Sequence, residues 1–476
     1  MWTYLLPAVL VHGTELLLVR WVLTQTDRSP AASVAWILAI VFVPFLGPLA
    51  FLVFGMTRVD SRRRKRIDAD REMRRLLGGT AESHVVDPEA FERPCRQLAR
   101  LAEGLTGNGV TAGNRVEIIS DTNRTLGLIH QAVEAAEDTL NLEYYIWEPD
   151  QTGRRLRDAL IHRAGDGLRI RFLYDAFGSM LLRRRFLAPM REAGIEVAAF
   201  SPGNSFRDRW SINLRSHRKI VVADGRVGFT GGMNIGDEYH GKRKKFGFWR
   251  DTHAKLEGPA VAQLQRVFAD DWFYSTGQRL EDPDEVPPLA GGPSLTQVIA
   301  GGPTREPRPF HTLMFTAVAE ARDEVLLTTS YFIPTEPLAM VLCAAALRGV
   351  RVRVLVPGRT AHLYPVTIWA GRSYYRQLLA SGVEIYEYDR GILHAKTLVV
   401  DGQWSLVGTP NYDNRSVSLN FEVAAAFFEP DEAAVLRQQF EADVLDSTPV
   451  TAESREDVRP LMRAAENFTR LFAPVM

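Results

Sequence analysis

Residues 216 to 234, SHRKIVVADGRVGFTGGMN, set His217 and Lys219 two positions apart, ahead of a run of β-formers, an Asp224-Gly225 pair and two glycines leading to Asn234. An imidazole can attack an electrophile or carry a proton, while an ammonium and a carboxamide can donate to an anionic oxygen, so the set suits displacement at an oxyanion centre. On a strand, alternate side chains share a face, which puts His217 and Lys219 on one side and Arg218 and Ile220 on the other. Asp224-Gly225 reads as a tight hairpin turn, and the returning strand RVGFTGG would bring Asn234 back toward the end that carries His217. A lone H-x-K on a strand is more often an ordinary polar pair than a catalytic one. Here it recurs: residues 394 to 411, HAKTLVVDGQWSLVGTPN, carry His394, Lys396, Asp401, Gly402, Gly408 and Asn411 at the mutual spacing of His217, Lys219, Asp224, Gly225, Gly231 and Asn234.

The elements that must position these residues are repeated as well. GLRIRFLYD from Gly167 matches GVRVRVLVP from Gly349, REAGIEVAAF matches LASGVEIYEY, and NLEYYIW from Asn141 is set against TTSYFIP from Thr328. Each half then reads as strand, helix, strand, helix, strand and motif hairpin, closed by a strand that begins near a carboxylate, Asp251 in WRDTHAKLEGP and Glu422 in NFEVAAAFFEP. This alternation predicts an α/β domain present twice. A segment rich in Pro, Gly and acids, residues 281 to 306, joins the halves.

The doubled H-x-K-x4-D-x6-G-x2-N pattern resembles the phospholipase D superfamily. GGMNIGDEY (231–239), FWRDTHAKLEGPAV (248–261), YFIPTEP (331–337) and NYDNRSVSLNFEV (411–423) narrow the resemblance to its bacterial cardiolipin synthases over essentially the whole chain. Two positions depart from the pattern: Ser216 stands where many members carry asparagine, and Thr409-Pro410 fills the small-residue slot before Asn411. The resemblance implies two duplicated phospholipase D-like α/β/α halves sharing one active site, with His217, Lys219, Asp224, His394, Lys396 and Asp401 as the catalytic motif residues. His217 would attack phosphorus and His394 would act as acid and base. Lys219, Asn234, Lys396 and Asn411 would bind the phosphate, and Asp251 and Glu422 would orient the histidines through the remote ring nitrogen. Asp224 and Asp401, sitting in the turns, are expected to form salt bridges or shape the turn. No cofactor or metal is expected, since the remaining histidines are dispersed and form no H-x3-H or C-x2-C set. The implied reaction joins two phosphatidylglycerol molecules into cardiolipin and glycerol through a phosphohistidine. A phospholipase D-type hydrolase and an inactive lipid-binding scaffold are the alternatives, the scaffold being disfavoured because both motifs keep His, Lys and Asn.

Composition fits this frame. The chain has 476 residues, 46% hydrophobic, enough for two sizeable cores, and its formal net charge is zero, which disfavours a nucleic-acid partner. The only cysteines, Cys95 and Cys343, read as small hydrophobes of a reducing compartment. Residues 31 to 55 are uncharged and long enough to cross a bilayer core, and the cluster from Arg58 to Arg66 marks the cytoplasmic side. An earlier apolar segment carries His12, Glu15 and Arg20, so it either spans or lies along the interface, and Pro44, Gly47 and Pro48 offer a bend toward a re-entrant hairpin. The expected organisation is an N-terminal hydrophobic membrane hairpin over residues 1–57, a basic juxtamembrane connector over 58–108, a first half over 109–285 and a second over 286–476. This describes a multi-pass protein of the cell (inner) membrane with a cytoplasmic catalytic portion and an anionic phospholipid substrate. A homo-oligomer is left open.

Overall fold

The computed structural model describes residues 2–24, 30–52, 84–200, 215–241, 247–280, 291–303, 307–358 and 365–473. The basic cluster from Arg58 to Arg66, the lysines within 242–246 and, of the linker expected over 281–306, residues 281–290 and 304–306 lie outside the described residues. The chain divides into two compact units, of which the N-terminal one contains residues 1–62. In it, helices Trp2–Thr24 and Pro30–Phe42 and the short helix Leu46–Ala50 bury Leu18, Val22, Ile40 and Phe51 together. Trp21 and Trp36 meet the Phe51 ring edge-on, with centroids 6.2 and 5.4 Å away.

The unbroken span expected over 31–55 does not form. Its helix stops at Phe42, because Pro44 has no N–H to continue the ladder and Phe45 turns into the left-handed region at φ 66°. Gly47 then packs so closely on the Ala39 carbonyl that a Cβ there would lie 1.9 Å from its oxygen. Among the described residues, no helix is long and apolar enough to cross a membrane.

The second unit is built on one 16-stranded sheet in which both halves repeat the same strand order. Outward from the middle, the first half runs Thr111–Ile119, His253–Glu257, Val227–Gly231, Lys219–Ala223, Thr139–Tyr144, Arg169–Asp175, Glu196–Phe200. The second half runs Ser294–Gly301, Asn420–Phe427, Trp404–Gly408, Thr397–Val400, Glu324–Thr328, Arg351–Pro357, Glu384–Tyr388, with Ser447–Val450 added at its outer edge. The three outermost equivalent strands of each half are parallel and joined by helical crossovers; the rest of this order, including the central junction of 111–119 with 294–301, is antiparallel, and the sixteenth strand, Arg215–Ser216, pairs parallel with Asn420–Phe427.

Strand alternation separates the cores. Val221 and Ala223 join the outer core of the first half with Leu142 and Phe172, and Leu398 and Val400 join that of the second half with Leu327 and Val354. Ile220, Val222, Val399 and Val407 face a third core shared by both halves, filled by helices Ala260–Thr276 and Pro430–Leu445 through Phe268, Trp272, Leu436 and Phe440. The two free cysteines are buried (Cys95) and half-buried (Cys343).

One expected repeat match is corrected. Glu143 pairs with Ile220 and Thr328 with Thr397, and these are equivalent motif positions, so Glu143 and not Asn141 corresponds to Thr328. The sequence match was displaced by two residues.

Candidate active site

Each motif histidine follows a short strand that leaves its own half and pairs with the other. Arg215–Ser216 runs parallel to the start of Asn420–Phe427, and the His217 N–H donates to the Phe421 carbonyl at 2.9 Å. Gly391–Leu393 runs parallel to Phe248–Arg250, and the His394 N–H donates to the Arg250 carbonyl at 2.7 Å. The residues that come next on the partner strands are Glu422 and Asp251. The carboxylates therefore cross over: His217 Nδ1 lies 2.9 Å from Glu422 Oε2, and His394 Nδ1 lies 2.7 Å from Asp251 Oδ2. An ionised carboxylate only accepts, so Nδ1 carries the proton in each pair and Nε2 keeps its lone pair.

Burial pushes the His217 imidazole down to about 4; the Lys219 and Lys396 charges add to this and Glu422 opposes it. His394 is likewise pushed down to about 4, by burial and then Lys396, against Asp251. Burial lowers Lys219 to about 7 and Lys396 to about 8, the two carboxylates opposing in both cases. Burial also works to raise Glu422, but His217, Lys219 and the Thr409 hydroxyl outweigh it and hold the carboxyl at about 2. Asp251 is lowered in the same way by His394, Lys396 and His253 against its burial. Each imidazole feels the lysine of the other half, so the two motifs form one electrostatic site. At neutral pH it holds two ionised carboxylates and two neutral imidazoles with exposed lone pairs.

The lysines are braced by their own motifs: Lys219 Nζ donates to the His217 carbonyl at 2.6 Å, and Lys396 Nζ donates to that of His394. Asn234 Oδ1 accepts from the Ile146 N–H at 3.1 Å and its Nδ2 donates to the Tyr239 hydroxyl at 3.0 Å; Asn411 Oδ1 accepts from the Ser330 hydroxyl at 2.7 Å. Asp224 and Asp401 are not brought to this site. Asp224 accepts the N–H groups of Glu137, Asp138 and Thr139, and Asp401 those of Arg322, Asp323 and Glu324, each at φ near +50° in its turn. Asp224 lies five positions from Lys219, roughly 16 Å along an extended strand. These aspartates lock the hairpins at the far end of the sheet, which fits the turn-shaping reading and not a place among the reacting groups.

Several residues to which the sequence assigned no role complete the site. The Thr409 hydroxyl donates to Glu422, whose other oxygen accepts from Asn420 Nδ2 at 3.1 Å. In the first half Gly232 takes the place of Thr409, and there a Cβ would lie 2.0 Å from Asp251 Oδ1. Asp251 accepts instead from the Thr252 N–H at 2.8 Å. The departure at Thr409 thus supports a longer carboxylate side chain, and its unusual residue type was the available signal. Tyr145 packs edge-on against the His217 ring, centroids 5.0 Å apart, and Trp249 tilts against His394 at 5.4 Å. Behind the histidines are two buried ion pairs, Arg218 with Asp271 and Arg250 with Asp443, the latter at 2.9 Å. Ser216 donates its hydroxyl to Glu143, a carboxyl raised well above its usual range by burial and by Asp271. Among the described residues, no group of three or more His, Cys, Asp or Glu side chains is placed to hold a metal.

The family described as "Cardiolipin synthase, PLD-like domain" matches residues 129–272 and 314–444, and "Phospholipase_D-nuclease N-terminal" matches 16–55. The cardiolipin synthase of Geobacillus kaustophilus is 38% identical over 97% of this chain and 92% of its own length. Cardiolipin synthase 1 of Bacillus anthracis is 34% identical over 96% and 92%. In fold, the chain resembles the crystal structure of phosphatidylserine synthase from Haemophilus influenzae, with a TM-score of 0.63 and 12% identity, covering 80% of this chain and 100% of that one. Matched along almost its full length and carrying both motifs in one crossed site, the chain belongs to the cardiolipin synthase family with phospholipase D-like domains.

Proposed function

We propose that the chain transfers a phosphatidyl group from one phosphatidylglycerol to the hydroxyl of a second, making cardiolipin and releasing glycerol. Membership of the cardiolipin synthase family makes it an enzyme, a phosphatidyltransferase. The observation that carries the mechanism is the crossed pair of carboxylate-held histidines with two lysines beside them. His217 Nε2 attacks phosphorus, and the phosphoimidazolium that forms is stabilised by Glu422. His394, protonated once the phosphodiester charge has entered the site, gives its proton to the departing glycerol alkoxide. In the second step His394 takes the proton of the incoming lipid hydroxyl, which displaces His217. Lys219, Lys396, Asn234 and Asn411 donate to the nonbridging oxygens, where charge builds in the transition state.

The membrane is the source of both substrates. Support for membrane association comes from the apolar N-terminal unit and its match to the family described as "Phospholipase_D-nuclease N-terminal"; the Arg58–Arg66 cluster of the sequence supports a catalytic body on the cytoplasmic side. The test is the purified full chain in phosphatidylglycerol nanodiscs, with lipid products and glycerol quantified. Cardiolipin and glycerol in equal amounts are expected. Phosphatidic acid as the main product, with added glycerol having no effect, would replace transfer by hydrolysis.

A further inference from the structure

Strand Arg169–Asp175 ends beside the site, and the turn after it carries Phe177, Met180 and Leu181, which are 48%, 59% and 49% exposed. Large apolar side chains held in water are ordinary when scattered, but three on one turn, tied to the residue before His217, ask for a partner. This turn is rigidly held. Asp175 Oδ1 accepts the Phe177 and Gly178 N–H groups at 3.0 and 2.8 Å, while its other oxygen accepts the N–H of Ser216, the residue before His217, at 2.9 Å. The Ser179 hydroxyl donates to the Tyr145 carbonyl at 2.9 Å and accepts the Trp147 N–H at 3.0 Å. Gly178 presses on Tyr145 so closely that a Cβ would lie 2.3 Å from its carbonyl oxygen. The backbone is therefore fixed to both neighbours of the His217 ring, while its apolar side chains point outward.

The surroundings state the charge of the partner. The Arg215 guanidinium sits over the Phe177 ring, 4.2 Å from its centroid, and exposed Arg183, Arg184 and Arg185 begin two residues after Leu181. Apolar side chains for the acyl region, bordered by arginines for phosphate, form the pattern of a surface that meets an anionic bilayer. We propose that the turn from Phe177 to Leu181 inserts into the headgroup–acyl boundary of an anionic phospholipid bilayer and so sets the His217 side of the site at the depth of the substrate phosphodiester. This rests on the transferase reading for its purpose, but its test does not depend on turnover.

The full chain with Cys343→Ser receives a single environment-sensitive fluorophore at Met180→Cys, or at Asp138→Cys as a control on the opposite end of the sheet, beside the Asp224 turn. In phosphatidylglycerol nanodiscs the label at 180 should shift to the blue and be quenched by doxyl lipid, and the label at 138 should do neither. The triple change Phe177→Ser, Met180→Ser, Leu181→Ser should lower turnover on bilayer phosphatidylglycerol by about tenfold or more, given the apolar area removed from the contact. Turnover of a short-chain phosphatidylglycerol, soluble as a monomer, should be unchanged. No response of the label at 180, or equal loss on bilayer and monomeric substrate, would overturn the proposal. A label response that follows protein concentration in detergent without phospholipid would overturn it in favour of a second copy of the chain. If wild-type protein bound the bilayer through this turn yet made no cardiolipin, the transferase reading alone would fall.

Discussion

Replacing Glu422 by Gln isolates the crossed wiring of the site. Glutamine keeps the shape and an acceptor for the His217 Nδ1–H, now 2.9 Å from Glu422 Oε2, and removes the charge together with the acceptor that Asn420 Nδ2 uses. When His217 attacks phosphorus its ring becomes cationic, and two unit charges about 4 Å apart at an effective dielectric near 20 interact by roughly 4 kcal/mol. Part of this survives as a neutral hydrogen bond, so a loss of about 3 kcal/mol, on the order of 10²-fold in rate, is expected. The same arithmetic applies to Asp251→Asn, which removes the charge 2.7 Å from His394 Nδ1.

A change of leaving group tells the two apart. A phosphatidyl ester of p-nitrophenol departs as a stable phenolate and needs no general acid, so its single-turnover burst reports the nucleophilic arm alone. Asp251→Asn should be slow on phosphatidylglycerol and near wild type in the p-nitrophenol burst. Glu422→Gln should be slow on both. If Asp251→Asn stayed slow in the burst while Glu422→Gln recovered, the roles of His217 and His394 would be exchanged. Recovery of both would refute the view that the carboxylates act through the histidines.

Lys219→Met or Lys396→Met should reduce turnover by ~10³-fold with membrane association and melting temperature little changed, because these desolvated ammonium groups act on transition-state charge; parallel kinetics and flotation check this. Stability should fall as pH drops from about 6.5 to about 4, since His217, His253 and His394 stay neutral in the folded chain down to about 4 while the unfolded chain already binds protons below 6.5. Each contributes up to about 3 kcal/mol that is fully present above pH 6.5, so denaturant midpoints at pH 7.5 and 4.5 should differ, and less so in His253→Gln. Asp224→Ala or Asp401→Ala leaves three backbone N–H groups without their acceptor, so a stability loss of about 2–4 kcal/mol is expected. The folded remainder should keep its KM, and a specific loss of kcat with normal stability would return these aspartates to the chemistry.

What was legible in the sequence is what strand parity and residue type encode. His217 with Lys219 and His394 with Lys396 had to share faces, and the repeated order of strands and helices had to give two like sheets. The crossing was not legible. Asp251 and Glu422 stand at equivalent positions after their own motifs, and nothing in that spacing tells which histidine each will meet; the partner is chosen by the short strands 215–216 and 391–393, which pair across the halves. The match of Asn141 with Thr328 slipped by two for a related reason: a displacement of two leaves every side chain on its proper face, so hydrophobic alternation does not detect it. Asp224 and Asp401 entered the motif through regular spacing, yet seven residues of extended chain carry each away from its histidine. In the N-terminal segment, apolar composition suggested a span while Pro44, Gly47 and Pro48 offered a bend, and the helix ends at Phe42, ahead of Pro44 and the left-handed Phe45.

The crossed pairing also explains why the halves act as one enzyme. A half taken alone would hold a histidine and a lysine but not the carboxylate that fixes the imidazole, because that carboxylate sits on the other half's strand. Fully buried, Asp251 and Glu422 would raise their own pKa values and lose their charge without a hydrogen-bond donor in contact and a cation nearby. It is the opposite half's histidine, together with the two lysines, that keeps them ionised. Each half thus maintains the charge state that the other needs. The joints that deliver the strands are reinforced by buried charge as well: Arg218 reaches from the first motif to the Glu422 and Gly301 carbonyls of the second half, and Arg250 reaches across to Asp443. Loss of either arginine would leave a buried carboxylate without its cation, a change that costs several kcal/mol. Loosening the halves therefore acts on the chemistry directly, by releasing the carboxylates from the imidazoles they orient.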